Sequence, residues 1–395
     1  MKIIEIGTGY TPIPAQISAA TEIVVEKLTT AFIDLGEEVE LVDIMAEDRK
    51  ENALPISEVK VPKMFRKTDV QLGVFHKLKR VVYSVLLAMK LRKVIRENEN
   101  NCVLHFHNQY NLFMFLLFVS KRIRKKAIIA YTNHSGIWNQ PWDSIKTVVK
   151  KRYFQEAISM KKADRLFLLN TQTRENAVRH LQVDLRNIHL IGNGVDIEVY
   201  KPLTEEDILS SKNRYAFEGK KVLLQIGSVT ENKGQLSVIE ALNSVFKAHN
   251  DFTYAYAGDI VSAEYQEKIQ SYICDNGFQN QVNYLGMIKP GKDLNELYNI
   301  ADATIVASGF EAFSLVTIES LAAGTPVFIN NSVPFEDGNG CHSYTLERLP
   351  ELLEYHIFDH PIKNDQKKMA RAYAEQNFCW KRIAERYLQG LKQIG

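Results

Sequence analysis

Two carboxylates eight positions apart, Glu311 and Glu319, bracket what reads as the start of a helix in GFEAFSLVTIESLAAGTPVFINN, Gly309 to Asn331. The run Ala303 to Ser308 before them has strand length, Gly309 and Phe310 lead into a turn, and Gly324 and Pro326 stop the helix. A helix start offers N–H groups without intrahelical acceptors and the positive end of a dipole. The amides of Phe313, Ser314 and Leu315 are therefore suited to a diphosphate, and the two glutamates to the hydroxyls of a sugar. Lys233, in a turn after the apolar run Val222 to Gly227 and just before a helix start at Gly234-Gln235, supplies a point charge of the right sign for the same anion. His134 follows the run Ala127 to Thr132, at the strand end where open α/β sheets bind ligands.

The elements that must position these groups follow from the alternation of apolar runs with helical periodicity, which predicts parallel sheets with crossover helices. In the first half the expected strands are Lys2 to Gly7, Val39 to Ile44, Val103 to His107, Ala127 to Thr132, Arg165 to Leu169 and Ile188 to Ile191. In the second they are Val222 to Gly227, Thr253 to Ala257, Val282 to Leu285, Ala303 to Ala307 and Val327 to Asn330. The string IGNGVDIEVYKPL between the sets carries an Asn-Gly turn and Pro202, and reads as a hinge. A chain of 395 residues fits two domains, here residues 1–197 and 198–375, with 376–395 as a closing helix.

The full Glu311 to Val327 string closely resembles the Glu-x7-Glu signature of retaining glycosyltransferases of family 4. LQIGSVTENKG (224–234), YAGD (256–259), YLGM (284–287) and FCWKRIAERY (378–387) resemble the same family in the same order; HFHN (105–108) and TNHS (132–135) extend the likeness thinly into the first half. The resemblance implies a GT-B fold, in which two Rossmann-like domains face a cleft and the last helix returns to the first domain. It implies transfer of a hexose-type sugar from a nucleotide sugar to a glycan or lipid-linked acceptor, in cell-surface polysaccharide or glycolipid synthesis. Glu311, His134 and Lys233 would be catalytic. Gly7, Gly9, Ser228, Lys233, Gly309, Phe310, Phe313, Ser314, Leu315 and Glu319 would bind the donor, with Glu319 on the ribose. A retaining reaction lets the departing phosphate take the acceptor proton, so no separate base is needed.

Two positions depart from the family pattern. Ser228 stands where an arginine is usual after the strand glycine, and Ala19-Ala20 where a Gly-Gly pair is usual, which shifts the expected donor contact to Gly7, Gly9 or a helix start over Ser18 to Thr21. These departures favour, as an alternative, a noncatalytic GT-B partner protein. A nucleotide-sugar epimerase fits the Glu311/Glu319 string less well. A dehydrogenase is not expected: Gly7-Thr8-Gly9 is followed by Pro12 and Pro14 and lacks a third glycine.

Composition narrows the rest. Hydrophobic content of 45% and charged content of 24% are those of a globular enzyme. Four scattered cysteines show neither a disulfide framework nor a zinc pattern. His105 and His107, taken as facing opposite sides of a strand, are expected to bind no metal; no cofactor is expected beyond the nucleotide-sugar substrate. Met1 to Thr8 reads as a strand rather than a signal peptide, and YNLFMFLLFVS (110–120) is too short to span a bilayer, so a cytoplasmic protein is expected. Net charge is +2, yet residues 51–162 hold 22 basic and seven acidic side chains, net +15. On Lys77 to Arg96 these charges interleave with Val81, Val82, Val85, Leu86, Met89 and Leu91, a pattern suited to peripheral contact with an anionic membrane at the cytoplasmic face. Nucleic acid is not an expected partner, because no aromatics interleave with the basic residues as a stacking platform.

Overall fold

The computed structural model describes residues 1–14, 20–67 and 74–392. Thirteen short strands form among these residues: β1 Lys2–Ile6, β2 Val39–Ile44, β3 Ile56–Val59, β4 Cys102–Phe106, β5 Ile128–Thr132, β6 Arg165–Leu168, β7 Ile188–Leu190, β8 Lys221–Ile226, β9 Phe252–Ala257, β10 Val282–Tyr284, β11 Ala303–Val306, β12 Val327–Asn330 and β13 Cys341–Tyr344. They build two sheets in the orders β3-β2-β1-β4-β5-β6-β7 and β10-β9-β8-β11-β12-β13. Every pairing is parallel, as helical crossovers require.

The eleven expected strands are present. The two not foreseen, β3 (ISEV) and β13 (CHSY), are both sheet edges, where one flank has no strand partner and polar side chains are the rule. In each sheet the winding direction reverses once, between β1 and β4 and between β8 and β11. Such reversals leave a crevice at the carboxyl ends of the two flanking strands.

The chain divides into two units, Met1–Gly194 with Trp380–Gly395, and Val195–Cys379. The helix Trp380–Lys392 belongs to the first unit through a buried stripe of Ile383, Ala384, Tyr387, Gly390 and Leu391, the spacing of one helical face. Tyr387 packs its ring on Phe167 and Phe32, at 4.6 and 6.4 Å between centroids. A Cβ on Gly390 would meet Phe167 Cε1 at 2.7 Å, so only glycine lets the helix sit this close.

The basic helix Val74–Glu97 is only partly as its sequence suggests. Leu91 is core, and Lys79 is buried with its ammonium donating to the Lys67 carbonyl at 3.0 Å. Leu78, Val81 and Met89 are exposed, as are Lys77, Arg92, Lys93 and Arg96. No helix among the described residues is long and apolar enough to cross a membrane.

Candidate functional site

In the second unit, Lys233 follows β8 and Glu311 follows β11, so both stand at the carboxyl ends of the strands that flank the reversal. Their loops are clamped together. The buried Gln225 of β8 accepts from Tyr254 Oη at 2.6 Å and donates to the Lys233 carbonyl at 2.6 Å. Gly309 N–H donates to the Asn232 carbonyl at 2.8 Å, and a Cβ on Gly309 would meet Asn232 Oδ1 at 3.3 Å. The two loops thus lie close together at Gly309. Gly234 adopts φ +72° against the Ala307 carbonyl, a conformation in which an L side chain is strained. The result is an ion pair between Lys233 Nζ and Glu311 Oε1, with Ser308 Oγ donating to the same oxygen at 2.6 Å.

The helix behind Glu311 is Leu315–Ala322, with Ser314 as N-cap accepting from Thr317 N–H at 3.2 Å. Phe313 is pinned against Phe335 and Phe378, with ring centroids 5.0 and 5.9 Å away. The helix start thus has a fixed direction. Phe310 is exposed and its carbonyl accepts from Asn232 Nδ2 at 3.4 Å; Ser228, after Gly227, is held through its carbonyl by Gln235 Nε2 at 3.1 Å.

Glu319 lies further along the same helix, and its Oε2 accepts from the buried Tyr298 hydroxyl at 2.8 Å. Burial of the carboxyl raises its pKa to about 7, against the opposing hydrogen bonds of Tyr298 and Tyr200. Near neutral pH this group is divided between acid and carboxylate. Neither tyrosine carries a sequence signal that distinguishes it from core packing.

The remaining expected residues belong to the first unit. Gly7 and Gly9 follow β1, and packing alone accounts for both: a Cβ on Gly7 would meet Asp43 Oδ1 at 2.2 Å, and one on Gly9, at φ +79°, would meet the Tyr83 ring at 2.2 Å. Ser18 and Ala19 lie outside the described residues, while Ala20, Thr21 and Glu22 open the helix Ala20–Asp34.

His134 is partly exposed just beyond β5, on a loop where Asn133 Nδ2 donates to Glu156 Oε1 at 2.8 Å and Ser135 N–H to Asn133 Oδ1 at 3.1 Å. Its Nε2 lies 3.0 Å from His107 Nδ1. His107 Nε2 in turn meets Glu5 Oε2 at 2.8 Å, and His105 Nδ1 meets Glu5 Oε1 at 2.7 Å.

The expectation that His105 and His107 face opposite sides is overturned. Residues two apart on a strand share a face, and Glu5 of β1, in register with His105 of β4, meets both rings. Ligand-type atoms of Glu5, His105 and His107 all lie within 4.8 Å of one another. Glu5 was missed because a single glutamate in KIIEI looks like ordinary strand alternation.

Residues 207–338 match the family model described as glycosyl transferases group 1, and residues 21–199 the model described as Glycosyltransferase Family 4. Among curated proteins, spore coat protein SA of Bacillus subtilis (strain 168) is 26% identical over 213 residues, 50% of this chain and 56% of that protein. The UDP-Gal:alpha-D-GlcNAc-diphosphoundecaprenol alpha-1,3-galactosyltransferase of Escherichia coli is 24% identical over 201 residues, 50% of this chain and 49% of that one. The chain spans about half or less of the length of the first curated relatives it matches. Among solved structures, Anabaena Alr3699/HepE in complex with UDP-glucose superimposes with a TM-score of 0.72 at 18% identity, covering 100% of each chain. That likeness is one of fold.

Proposed function

The chain belongs to the family 4, group 1 glycosyltransferases of the GT-B fold, and on that premise we propose that it moves a sugar from a nucleotide diphosphate to a glycan or lipid-linked acceptor with retention. The single observation that carries this reading is the clamped Lys233–Glu311 pair beside the start of the Leu315–Ala322 helix. Lys233 and the helix amides neutralise the leaving diphosphate, and Glu311 accepts hydrogen bonds from the sugar. Their stabilisation grows as charge develops on the phosphate oxygen, which is what accelerates transfer. Glu319 holds the ribose. Retention follows when the acceptor attacks on the face from which the nucleotide leaves, the phosphate taking its proton. No metal takes part, because Lys233 and the helix dipole supply the positive charge.

A uridine donor is the first choice, since Anabaena Alr3699/HepE is in complex with UDP-glucose and the Escherichia coli relative is named for UDP-Gal. The experiment is a screen of thermal stabilisation by UDP-, GDP-, ADP- and dTDP-sugars, followed by nucleotide release from the best binder. A ligand at 100 times its Kd raises stability by about 2.7 kcal/mol. No stabilisation by any of the four would overturn the reading. Ser228, in place of the family's arginine, favours a second reading as a noncatalytic partner; binding without any nucleotide release would select it.

The enzyme works at the cytoplasmic face of a membrane. Exposed Leu78, Val81 and Met89 stand among exposed Lys77, Arg92, Lys93 and Arg96 on one helix, and exposed Leu117 and Phe118 precede exposed Lys121 and Arg122 on the next segments. Apolar side chains that enter the headgroup layer, ringed by cations that attract anionic lipid, suit an acceptor that is itself lipid-linked.

A further inference from the structure

The first sheet has a winding reversal of its own, between β1 and β4, and the crevice at those strand ends belongs to the first unit alone. Three segments meet there: the loop Gly7 to Tyr10 after β1, the start of the helix Gln109–Phe118 after β4, and the helix Val74–Glu97. They are pinned to one another. Tyr83 Oη donates to the Gly7 carbonyl at 3.0 Å, Asn111 Nδ2 to the Thr8 carbonyl at 3.0 Å, and Ser84 Oγ to Asn111 Oδ1 at 2.7 Å. Tyr83, Ser84 and Asn111 are buried, so water does not compete for these bonds.

Arg80 stands one turn before Ser84 on the same helix. Its guanidinium carbon lies over two rings, 4.9 Å from the centroid of Tyr10 and 4.7 Å from that of Tyr110, and His76 stacks on Tyr10 in turn at 5.0 Å. Aromatic rings satisfy the faces of a guanidinium but take none of its five N–H donors, which lie in its plane. Among the described residues no carboxylate pairs with Arg80. Other arginines of this unit are matched: Arg49 with Asp43, and Arg66 with Glu47. Glu22, whose charge reaches Tyr10, is buried and accepts from Thr8 Oγ1. Arg80 is partly buried, and Lys77, one turn earlier on the same helix face, is exposed. Two adjacent cations without a counter-charge, one braced by rings, suit an oxyanion that carries more than one charge. A phosphate answers both cations; a carboxylate answers one.

We propose that Arg80, braced by Tyr10 and Tyr110 and assisted by Lys77, is a first-unit subsite for a phosphate group carried by the second substrate. The inference deepens the functional reading and rests on it only in making the carrier of that phosphate the sugar acceptor. A phosphate on a lipid-linked sugar and one on a soluble sugar present the same chemistry to Arg80. The rings set specificity through rigidity: the guanidinium edge is held in one direction before the ligand arrives, so little side-chain freedom is lost on binding.

The test titrates inorganic diphosphate into the full-length protein already saturated with UDP, so that phosphate contacts in the second unit are occupied. Arg80→Met should lower diphosphate affinity at least tenfold, as for loss of a charge-assisted hydrogen-bonded pair. Tyr110→Phe keeps the ring and should stay within about threefold, while Tyr110→Leu should fall with the Met variant. UDP affinity and melting should be unchanged in all three. Equal diphosphate affinity in wild type and Arg80→Met, or loss of UDP binding in step, would overturn the proposal. Should Arg80→Met not fold, phenylglyoxal labelling of the wild type decides: diphosphate should shield Arg80 from the reagent, and no shielding counts against the subsite. A prenyl diphosphate-linked sugar and a soluble sugar 6-phosphate, each titrated into wild type and Arg80→Met, then identify the carrier as the one whose affinity drops. If neither drops, the acceptor role is overturned. Arg80-dependent diphosphate binding in a protein that no nucleotide sugar stabilises would sink the transferase reading and leave the phosphate subsite standing.

Discussion

Lys233 and Glu311, 78 positions apart in the sequence, meet in one ion pair at the carboxyl ends of β8 and β11. On the proposed reading Lys233 meets the phosphate and Glu311 the sugar, so donor binding would draw on both members of this pair.

Removal of either partner should cost transfer about 100-fold or more, the usual effect of losing one group that stabilises developing charge. Because the two act as a unit, Lys233→Ala with Glu311→Ala together should cost little beyond the worse single variant. Turnover of the four proteins in a double-mutant cycle checks this. Full additivity, or at least half the parent turnover in either single variant with unchanged melting, would contradict the assignment.

Glu319 yields a pH prediction. Its carboxyl pKa is raised to about 7, so the acid form prevails below that value and the carboxylate above it. Ribose hydroxyls donate better to a carboxylate, and UDP should therefore bind more tightly as pH rises from 6 to 8. Glu319→Gln should flatten the profile. Calorimetric titration across this range gives the answer, and an unchanged slope in the Gln variant would remove Glu319 from the nucleotide site.

Glu156 gives a prediction about stability with the opposite consequence for alkali. Burial raises its pKa from 4.5 to about 7 in the folded chain, against hydrogen bonds from Trp138, Tyr131 and Asn133. The folded state then holds its proton more firmly than the unfolded one. Its contribution is fully present below pH 4.5 and is lost as pH rises through about 7, amounting to on the order of 3 kcal/mol. Glu156→Gln should keep the hydrogen bond to Asn133 without this loss, and gain stability over the parent at pH 8 more than at pH 5. Urea denaturation at the two pH values measures the difference.

On the proposed reading Lys233 and the helix start meet the phosphate charge, so activity should survive excess EDTA. Complete loss that magnesium or manganese restores would contradict this.

Membrane contact should depend on both halves of the exposed pattern. Each basic residue near an anionic surface contributes about 1 kcal/mol, and the attraction falls over a Debye length of roughly 8 Å at physiological salt. Flotation with anionic vesicles should recover the protein at low salt and release it at high salt, while Leu78→Glu with Met89→Glu weakens recovery. Equal, weak recovery with neutral and anionic vesicles would rule the surface out.

What the sequence made legible follows from the physics of each element. Val39–Ile44 and Val327–Asn330 lie inside their sheets, where most of their side chains are buried and Val, Leu, Ile and Phe predominate, and their ends match the expected ones. Ile56–Val59 and Cys341–Tyr344 lie at the rims and carry Ser, Glu and His, which no apolar pattern reveals. Lys233 and Glu311 were legible because the strings around them are specific. Their pairing was not, because it depends on Gln225 and Asn232 clamping two loops distant in sequence. The parity of His105 and His107 was available from strand geometry alone and was misjudged; the part of Glu5 needed the register of β1 on β4.

The helix Trp380–Lys392 completes the first unit but is made only after the whole of the second. During synthesis the growing chain therefore carries a first sheet whose seat for Tyr387, between Phe32, Phe167 and His105, stands open while residues 195–379 emerge. An apolar seat left uncovered on a nascent chain is a site for chaperones or for misassembly. The polar network around Glu5 gains its last member, the Tyr387 hydroxyl on Thr132, with that final helix. Completion of the network around Glu5 thus waits on the synthesis of Trp380–Lys392, and a chain cut short before residue 380 would be left with an unsealed first unit, however sound its second sheet.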